Sequence, residues 1–336
     1  MPKLTPGKLA GLKAVSNGDA VIAAAAMDQR GSLQKSIAKE RGAASDAHDL
    51  EEFKLLVTEV LTQYASAILL DPEYGLPAAK HRNGKGLLLA YEKTGYDAAT
   101  PGRLPDLLDV WSVRRLKEAG ADCIKILLYY TPFEQAHIND LKQAWIERIG
   151  DECLAHDIPF FLEFVGYDVS GVGEKSLEYA KLKPSVVSGC MAEFGKDRYN
   201  VDVLKVEVPI EMHYVEGTKA FKGEKAYTRA EALQHFRDAE SVTSKPFIYL
   251  SAGVTNPIFI ETLELAAESG TKFNGVLCGR ATWFDGIAIY AKHGVDAFRK
   301  WLETEGVVNI SNVNEALKAA SPWYLKYGAK SLAELG

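Results

Sequence analysis

Eight short apolar runs recur along the chain, separated by stretches in which apolar residues return every three or four positions. The runs cover residues 21–27, 67–70, 86–91, 123–128, 160–165, 203–208, 247–250 and 275–278. Runs so short and so uniformly apolar read as strands covered on both faces, and helix-period stretches between strands are what parallel connections require. Helices are expected over 51–64, 106–119, 134–155, 229–244 and 257–269, with Pro105 and Gly120 as start and stop signals of the second. Residues 77–86 leave room for only a turn or two, and 167–183 begins as a loop, with Gly171 and Gly173, placed to cover a site. Strand–helix alternation repeated eight times predicts an α/β fold, a (β/α)8 TIM barrel with additional C-terminal helices. The barrel is expected over about 21–285 and the helical extension over 286–336, broken by Pro322. No linker, repeat or low-complexity tract divides residues 1–336, so one domain is expected.

Charge narrows the partners. The 45 acidic residues outnumber the 39 basic ones, for a net charge of -6. That balance argues against nucleic acid or an anionic membrane, both of which reward clustered Lys and Arg. A small molecule is the expected partner, and self-association into a homo-oligomer is compatible with the chain. Cys123, Cys153, Cys190 and Cys278 form no C-x-x-C pair, and the chain opens without a basic-then-apolar leader. No apolar run is long enough to span a bilayer, since residues 21–27 end at Asp28. A reduced, cytoplasmic protein is expected.

Three of the strand-like runs carry a charge. Lys205 sits in Val203-Leu204-Lys205-Val206-Glu207-Val208, Lys125 in Cys123-Ile124-Lys125-Ile126-Leu127, and Glu163 in Phe160-Phe161-Leu162-Glu163-Phe164-Val165. Side chains alternate along a strand, so Lys205 faces opposite to Leu204 and Val206. Helices cover the outside of a barrel, which sends the apolar set outward and Lys205, Lys125 and Glu163 inward. A solvent-facing antiparallel strand gives the same alternation, but helices between the strands imply a sheet covered on both faces. A desolvated lysine beside a second ammonium should lose its proton more readily, and a neutral amine attacks a ketone carbonyl. The resulting iminium is an electron sink for cleaving the adjacent C–C bond. Glu163 is placed to shuttle the protons, and Asp28 to orient substrate hydroxyls.

Polar residues at the other strand ends suggest anion binding. Ser251-Ala252-Gly253 and Gly279-Arg280 follow the seventh and eighth runs, where barrels form a phosphate cradle from backbone N–H groups and a cation. Gln29 and Arg30, after the first run, are candidates for a second phosphate. Asp71-Pro72-Glu73 reads as a turn. The seven histidines are scattered without close ligand pairs, so no metal site is expected, and nothing calls for a cofactor. A lone histidine such as His213 reads as structural.

These residues resemble the class I tagatose 1,6-bisphosphate aldolases of bacterial lactose and galactose catabolism. The likeness runs through Met27-Asp28-Gln29-Arg30-Gly31, Leu69-Leu70-Asp71-Pro72-Glu73-Tyr74-Gly75-Leu76, Leu89-Ala90-Tyr91-Glu92-Lys93-Thr94-Gly95-Tyr96 and the Lys205 run through Pro209. It continues through Tyr249-Leu250-Ser251-Ala252-Gly253-Val254, Val276-Leu277-Cys278-Gly279-Arg280-Ala281-Thr282-Trp283 and Ala320-Ser321-Pro322-Trp323. The resemblance implies a metal-independent lyase that splits tagatose 1,6-bisphosphate into dihydroxyacetone phosphate and glyceraldehyde 3-phosphate. It implies Lys205 as the Schiff-base lysine, with Glu163, Asp28 and Lys125 around the reacting carbons. Ser251, Ala252, Gly253, Gly279 and Arg280 would hold one phosphate, and Gln29 and Arg30 the other. Departures fall in the first residues, in 167–174 and in 221–226. Fructose 1,6-bisphosphate and other C4 epimers are rival substrates, because an iminium mechanism does not itself inspect C4. A 6-sulfo ketose phosphate aldolase and a phosphosugar-sensing regulator on the same barrel are the alternative readings.

Overall fold

The computed structural model describes residues 4–93 and 100–335. Thr94-Gly95-Tyr96, part of the family-like string after the third run, lie outside the described residues. Eight parallel strands close in sequence order: β1 (Ile22–Met27), β2 (Ala67–Leu70), β3 (Gly86–Ala90), β4 (Cys123–Tyr129), β5 (Phe160–Val165), β6 (Val203–Val206), β7 (Phe247–Leu250) and β8 (Gly275–Cys278). Each apolar run became a strand, within two residues at either end.

The helices are α1 (Pro6–Ala14), α2 (Gly31–Arg41), α3 (Ala47–Leu61), α4 (Leu76–Ala79), α5 (Val113–Glu118), α6 (Ala136–Ala155) and α7 (Leu177–Phe194). They continue with α8 (Arg229–Ser241), α9 (Asn256–Glu268), α10 (Arg280–Trp283), α11 (Gly286–Trp301) and α12 (Val307–Ala316). Helix α5 is much shorter than the 106–119 expected. Its start is fixed by Ser112, whose side chain accepts from the Arg115 N–H, rather than by Pro105. The residues before it are taken by other partners: Leu107 bridges to Glu92, and Lys93 pairs with Asp106 at 2.9 Å and Asp109 at 2.6 Å. Gly120, at φ +102°, does end the helix.

Strand parity sorts the core into two shells. Ile68, Leu70, Ile124, Ile126, Leu162, Phe164, Leu204 and Val206 pack outward against the helices. Ala24, Ala26, Leu69, Leu88, Phe161, Val203, Ile248 and Leu277 fill the barrel interior. The lower end is stoppered by Leu9 and Leu12 of α1 and by Trp323, which belong to that inner shell. Lys8 of α1 is anchored there by a buried ion pair with Asp202 at 2.8 Å. Closure of β8 on β1 depends on Gly275, where a Cβ would lie 2.0 Å from the Ile22 carbonyl oxygen. The C-terminal helices join the outer shell through Phe53 of α3, which stacks on Phe298 and meets Trp283 and Tyr290 edge-on. No helix among the described residues is long and apolar enough to cross a membrane.

Candidate active site

The register of the sheet brings the strand charges to one place. Glu163 of β5 lies directly beside Lys205 of β6, and Lys125 of β4 sits one inward-facing step lower, beside Phe161. All three side chains are buried. Lys205 Nζ donates to Glu163 Oε2 at 2.9 Å. Lys125 Nζ lies 2.8 Å from the same oxygen, so one carboxylate oxygen joins both ammoniums. Lys125 also donates to Asp28 Oδ2 at 2.8 Å and to Glu92 Oε1 at 2.9 Å.

The sequence predicts Lys125 as a second ammonium near Lys205, with Glu163 as the one carboxylate beside them. Instead its three donors meet three carboxylates. Burial pulls the Lys125 ammonium down, but Asp28, Glu163 and Glu92 overcome that and hold it well above the ordinary amine range. Burial also opposes ionising Asp28 and Glu163. Lys125 first and Lys205 second outweigh it, leaving Glu163 below and Asp28 well below the usual carboxylate range. At Glu92 burial dominates, and its carboxyl is pushed up despite Lys125 and Arg30.

A cavity of about 510 Å³ opens over this cluster at the C-terminal ends of the strands. Its walls bring together every residue singled out for the site except Lys125, which lies beneath its floor, and Gly253, which backs Arg280. The chain turns sharply after β7, with Ala252 at φ +48° and Gly253 at φ +77°. A side chain at Gly253 would start 2.6 Å from the Arg280 guanidinium carbon, so glycine is what lets that arginine lie against the turn. Arg280 is exposed and has no ion-pair partner among the described residues, which leaves its charge free for a ligand.

Arg30 is held by the neighbouring strands. Its guanidinium is buried, pairs with Glu73 at 2.5 Å and donates to the Glu92 carbonyl at 2.7 Å. Those contacts tie β1, β2 and β3 together, while its Nε is buried without a partner and the residue lines the cavity. Further groups on that side are Gln29, whose Oε1 is buried without a partner, and Ser32 and Lys35 of α2.

Several supports escaped the sequence reading. Lys54, fully buried on α3, donates to the Met27 and Gln29 carbonyls, each at 2.7 Å, and pairs with Asp71 at 2.6 Å. It thereby holds the Asp28 segment. Asp71 accepts from the Glu73 and Tyr74 N–H groups, the turn role expected of it. Glu207 takes the Gly166 N–H at 2.8 Å and ties the ends of β5 and β6. Lys142 of α6 donates to the Tyr129 carbonyl at 2.7 Å and the Tyr167 hydroxyl at 2.9 Å, its ammonium lowered to about 8 by burial. A signal existed for both buried lysines: Lys54 falls on the apolar stripe with Leu50, Val57 and Leu61, and Lys142 on that with Ile138, Ile146 and Ile149. His213 bonds Glu211 at 3.1 Å and lines a separate groove of about 900 Å³ near α9 and α12, away from the lysines. Among the described residues no three His, Cys, Asp or Glu groups are disposed to hold a metal ion.

A closed eight-stranded barrel with a lysine–carboxylate cluster at its C-terminal mouth places the chain among the barrel enzymes. The family model of the DeoC/LacD family aldolases matches residues 22–285, and the chain belongs to that family. It is 54% identical over 331 residues to a tagatose 1,6-diphosphate aldolase of Listeria monocytogenes, covering 98% of this chain and 97% of that one. It is 53% identical over 321 residues to the enzyme of the same name from Staphylococcus haemolyticus, covering 95% and 98%. A fructose-bisphosphate aldolase from Plasmodium falciparum, solved with TRAP and an inhibitor, superposes with a TM-score of 0.66 at 16% identity, covering 95% of this chain and 96% of that one. At that identity the likeness is one of fold.

Proposed function

We infer that this aldolase works through a Schiff base on Lys205 and cleaves D-tagatose 1,6-bisphosphate to dihydroxyacetone phosphate and D-glyceraldehyde 3-phosphate. The observation that carries the reading is the position of Lys205, buried at the cavity floor with a single carboxylate, Glu163, at 2.9 Å. Lys125 is the poorer nucleophile, because three carboxylates surround it and hold its proton. The names of the relatives supply the sugar.

The chemistry follows from the contacts. Lys205 passes an ammonium proton to Glu163, the freed amine adds to the C2 carbonyl, and Glu163 gives the proton to the departing hydroxyl as the iminium forms. Glu163, again a carboxylate, then takes the C4 hydroxyl proton, and the C3–C4 electrons pass into the iminium to give an enamine. The aldehyde leaves, C3 is protonated, and water releases the ketone from Lys205. Lys125 keeps Glu163 and Asp28 in place, and Asp28 faces the sugar hydroxyls. Ser251, Ala252, Gly253, Gly279 and Arg280 receive one phosphate. Gln29, Ser32 and Lys35 at the start of α2 receive the other, with Arg30 as a brace beneath them.

We read residues 1–336 as one catalytic unit working in the reduced cytoplasm, consistent with four buried free cysteines. Cleavage assays with tagatose and fructose 1,6-bisphosphates, with and without EDTA, test the function. Tagatose 1,6-bisphosphate should yield triose phosphates at a rate the chelator does not change, with turnover of the C4 epimer as well. No turnover of either sugar, or activity lost to EDTA and restored by zinc, would reject it.

A further inference from the structure

The end of β1 presents three successive residues, Asp28, Gln29 and Arg30, to the cavity. Side chains alternate along a strand, so a regular continuation of β1 would turn at least one of the three away. The ladder with β2 stops just below them, its last pair being Met27 and Leu70. Beyond that pair Lys54, fully buried on α3, takes the place of the neighbouring strand. Its Nζ donates to the Met27 and Gln29 carbonyls, each at 2.7 Å, and meets Asp71, the residue after β2, at 2.6 Å. On the β8 side the Ala26 carbonyl accepts from Trp283 Nε1 at 2.9 Å. With the carbonyls of Met27 and Gln29 both turned back to α3, the backbone between them is pinned. The side chains of Asp28 and Gln29 are left to face the mouth.

We propose that Lys54 is a positioning residue for the reaction, holding Asp28 and Gln29 toward the sugar through the Met27 and Gln29 carbonyls. This rests on the reading above, in which Asp28 faces the sugar hydroxyls and Gln29 a phosphate. Lys54 does not line the cavity, so it acts only through the segment it holds. Asp28 in turn reaches Lys125 at 2.8 Å, and a shift of the segment would disturb that contact as well. Asp71 has a different part. It balances the charge of Lys54, whereas the carbonyls need only N–H donors, and a lysine amine keeps two of them even without its third proton. The ion pair therefore serves stability and the two donors serve catalysis, and substitutions can separate the two.

The test is a double-mutant cycle of Lys54→Met and Asp71→Asn, read by denaturation midpoints and by kinetics on tagatose 1,6-bisphosphate. Lys54→Met leaves Asp71 buried without its cation, so the midpoint should fall. Its kcat/KM should fall about 100-fold, the size expected when catalytic groups are misplaced by about 1 Å. Adding Asp71→Asn removes the uncompensated charge and should restore most of the midpoint while kcat/KM stays low. Asp71→Asn alone should lower the midpoint and keep kcat/KM near that of wild type. Recovery of kcat/KM together with the midpoint in the double variant, or a single Asp71→Asn as slow as Lys54→Met, overturns the proposal. If the double variant does not regain stability, crystals of wild type with a hexitol 1,6-bisphosphate, which lacks the ketone and is not cleaved, decide the matter. Asp28 and Gln29 should contact that ligand with Lys54 still on both carbonyls; a complex in which either residue misses the ligand, or Lys54 has left, overturns the proposal. Borohydride trapping keeps the two readings apart. An adduct of dihydroxyacetone phosphate on Lys205 of wild type upholds the Schiff-base reading even where the cycle fails, and its absence overturns that reading and this proposal with it.

Discussion

Lys125 organises the site because a single ammonium with three N–H bonds meets Asp28, Glu92 and Glu163 between 2.8 and 2.9 Å. Removing one partner of a buried ion pair leaves the other charge without compensation, at a cost of about 3–5 kcal/mol. Lys125→Met should therefore lose stability of about that size near neutral pH, read from denaturant unfolding. The sign of the pH dependence gives a sharper check. In wild type Asp28 and Glu163 are held below their unfolded values of about 3.9 and 4.3. Their contribution is fully present above those values and is lost as pH falls through the folded ones. In Lys125→Met the carboxylates lose that cation, their folded values move upward, and acidification should recover part of the lost stability. An acid limb identical to that of wild type would contradict the role given to Lys125.

Strands carried their signal more plainly than helices did. A barrel strand is apolar on both faces, so its run stands out in the chain, and the single charges in β4, β5 and β6 then mark the interior. Helix limits depended on contacts with distant residues. Helix α5 is shortened because residues before Ser112 pair with Glu92 and Lys93. Closure of the cylinder likewise depends on a contact no local pattern reveals, that of Gly275 against Ile22. Gly275 has φ +134°, and a Cβ there would lie 2.0 Å from a backbone oxygen. Gly275→Ala should thus cost more than about 4 kcal/mol, the range reserved for a broken core element. Gly84→Ala is the control: φ is +71° with open space around it, and the expected cost is about 1–2 kcal/mol. Equal losses in the two variants, measured as denaturation midpoints, would mean that the β1–β8 seam tolerates a side chain.

Across the molecule the inward direction of Lys205 was legible because period-two alternation and a parallel sheet together dictate it. What surrounds it was only partly legible. Arg30 stands at a strand end like a phosphate ligand, yet Glu73 and the Glu92 carbonyl claim it, and Lys54 reaches the site from a helix behind the sheet. Such partners meet only when strands distant in sequence are brought into register. The loop after β5 is held by its own contacts, with Asp168 accepting from Ser170 and Gly173 and Glu174 pairing with Arg103 at 2.8 Å. The site is therefore framed by the fold before any sugar arrives, and we propose Lys205 as the group that reacts. Borohydride reduction in the presence of dihydroxyacetone phosphate, followed by peptide mass analysis, examines that assignment directly. The reduced adduct should sit on Lys205, with none on Lys125 and none formed by Lys205→Ala; an adduct on Lys125, or no adduct while turnover continues, would contradict it.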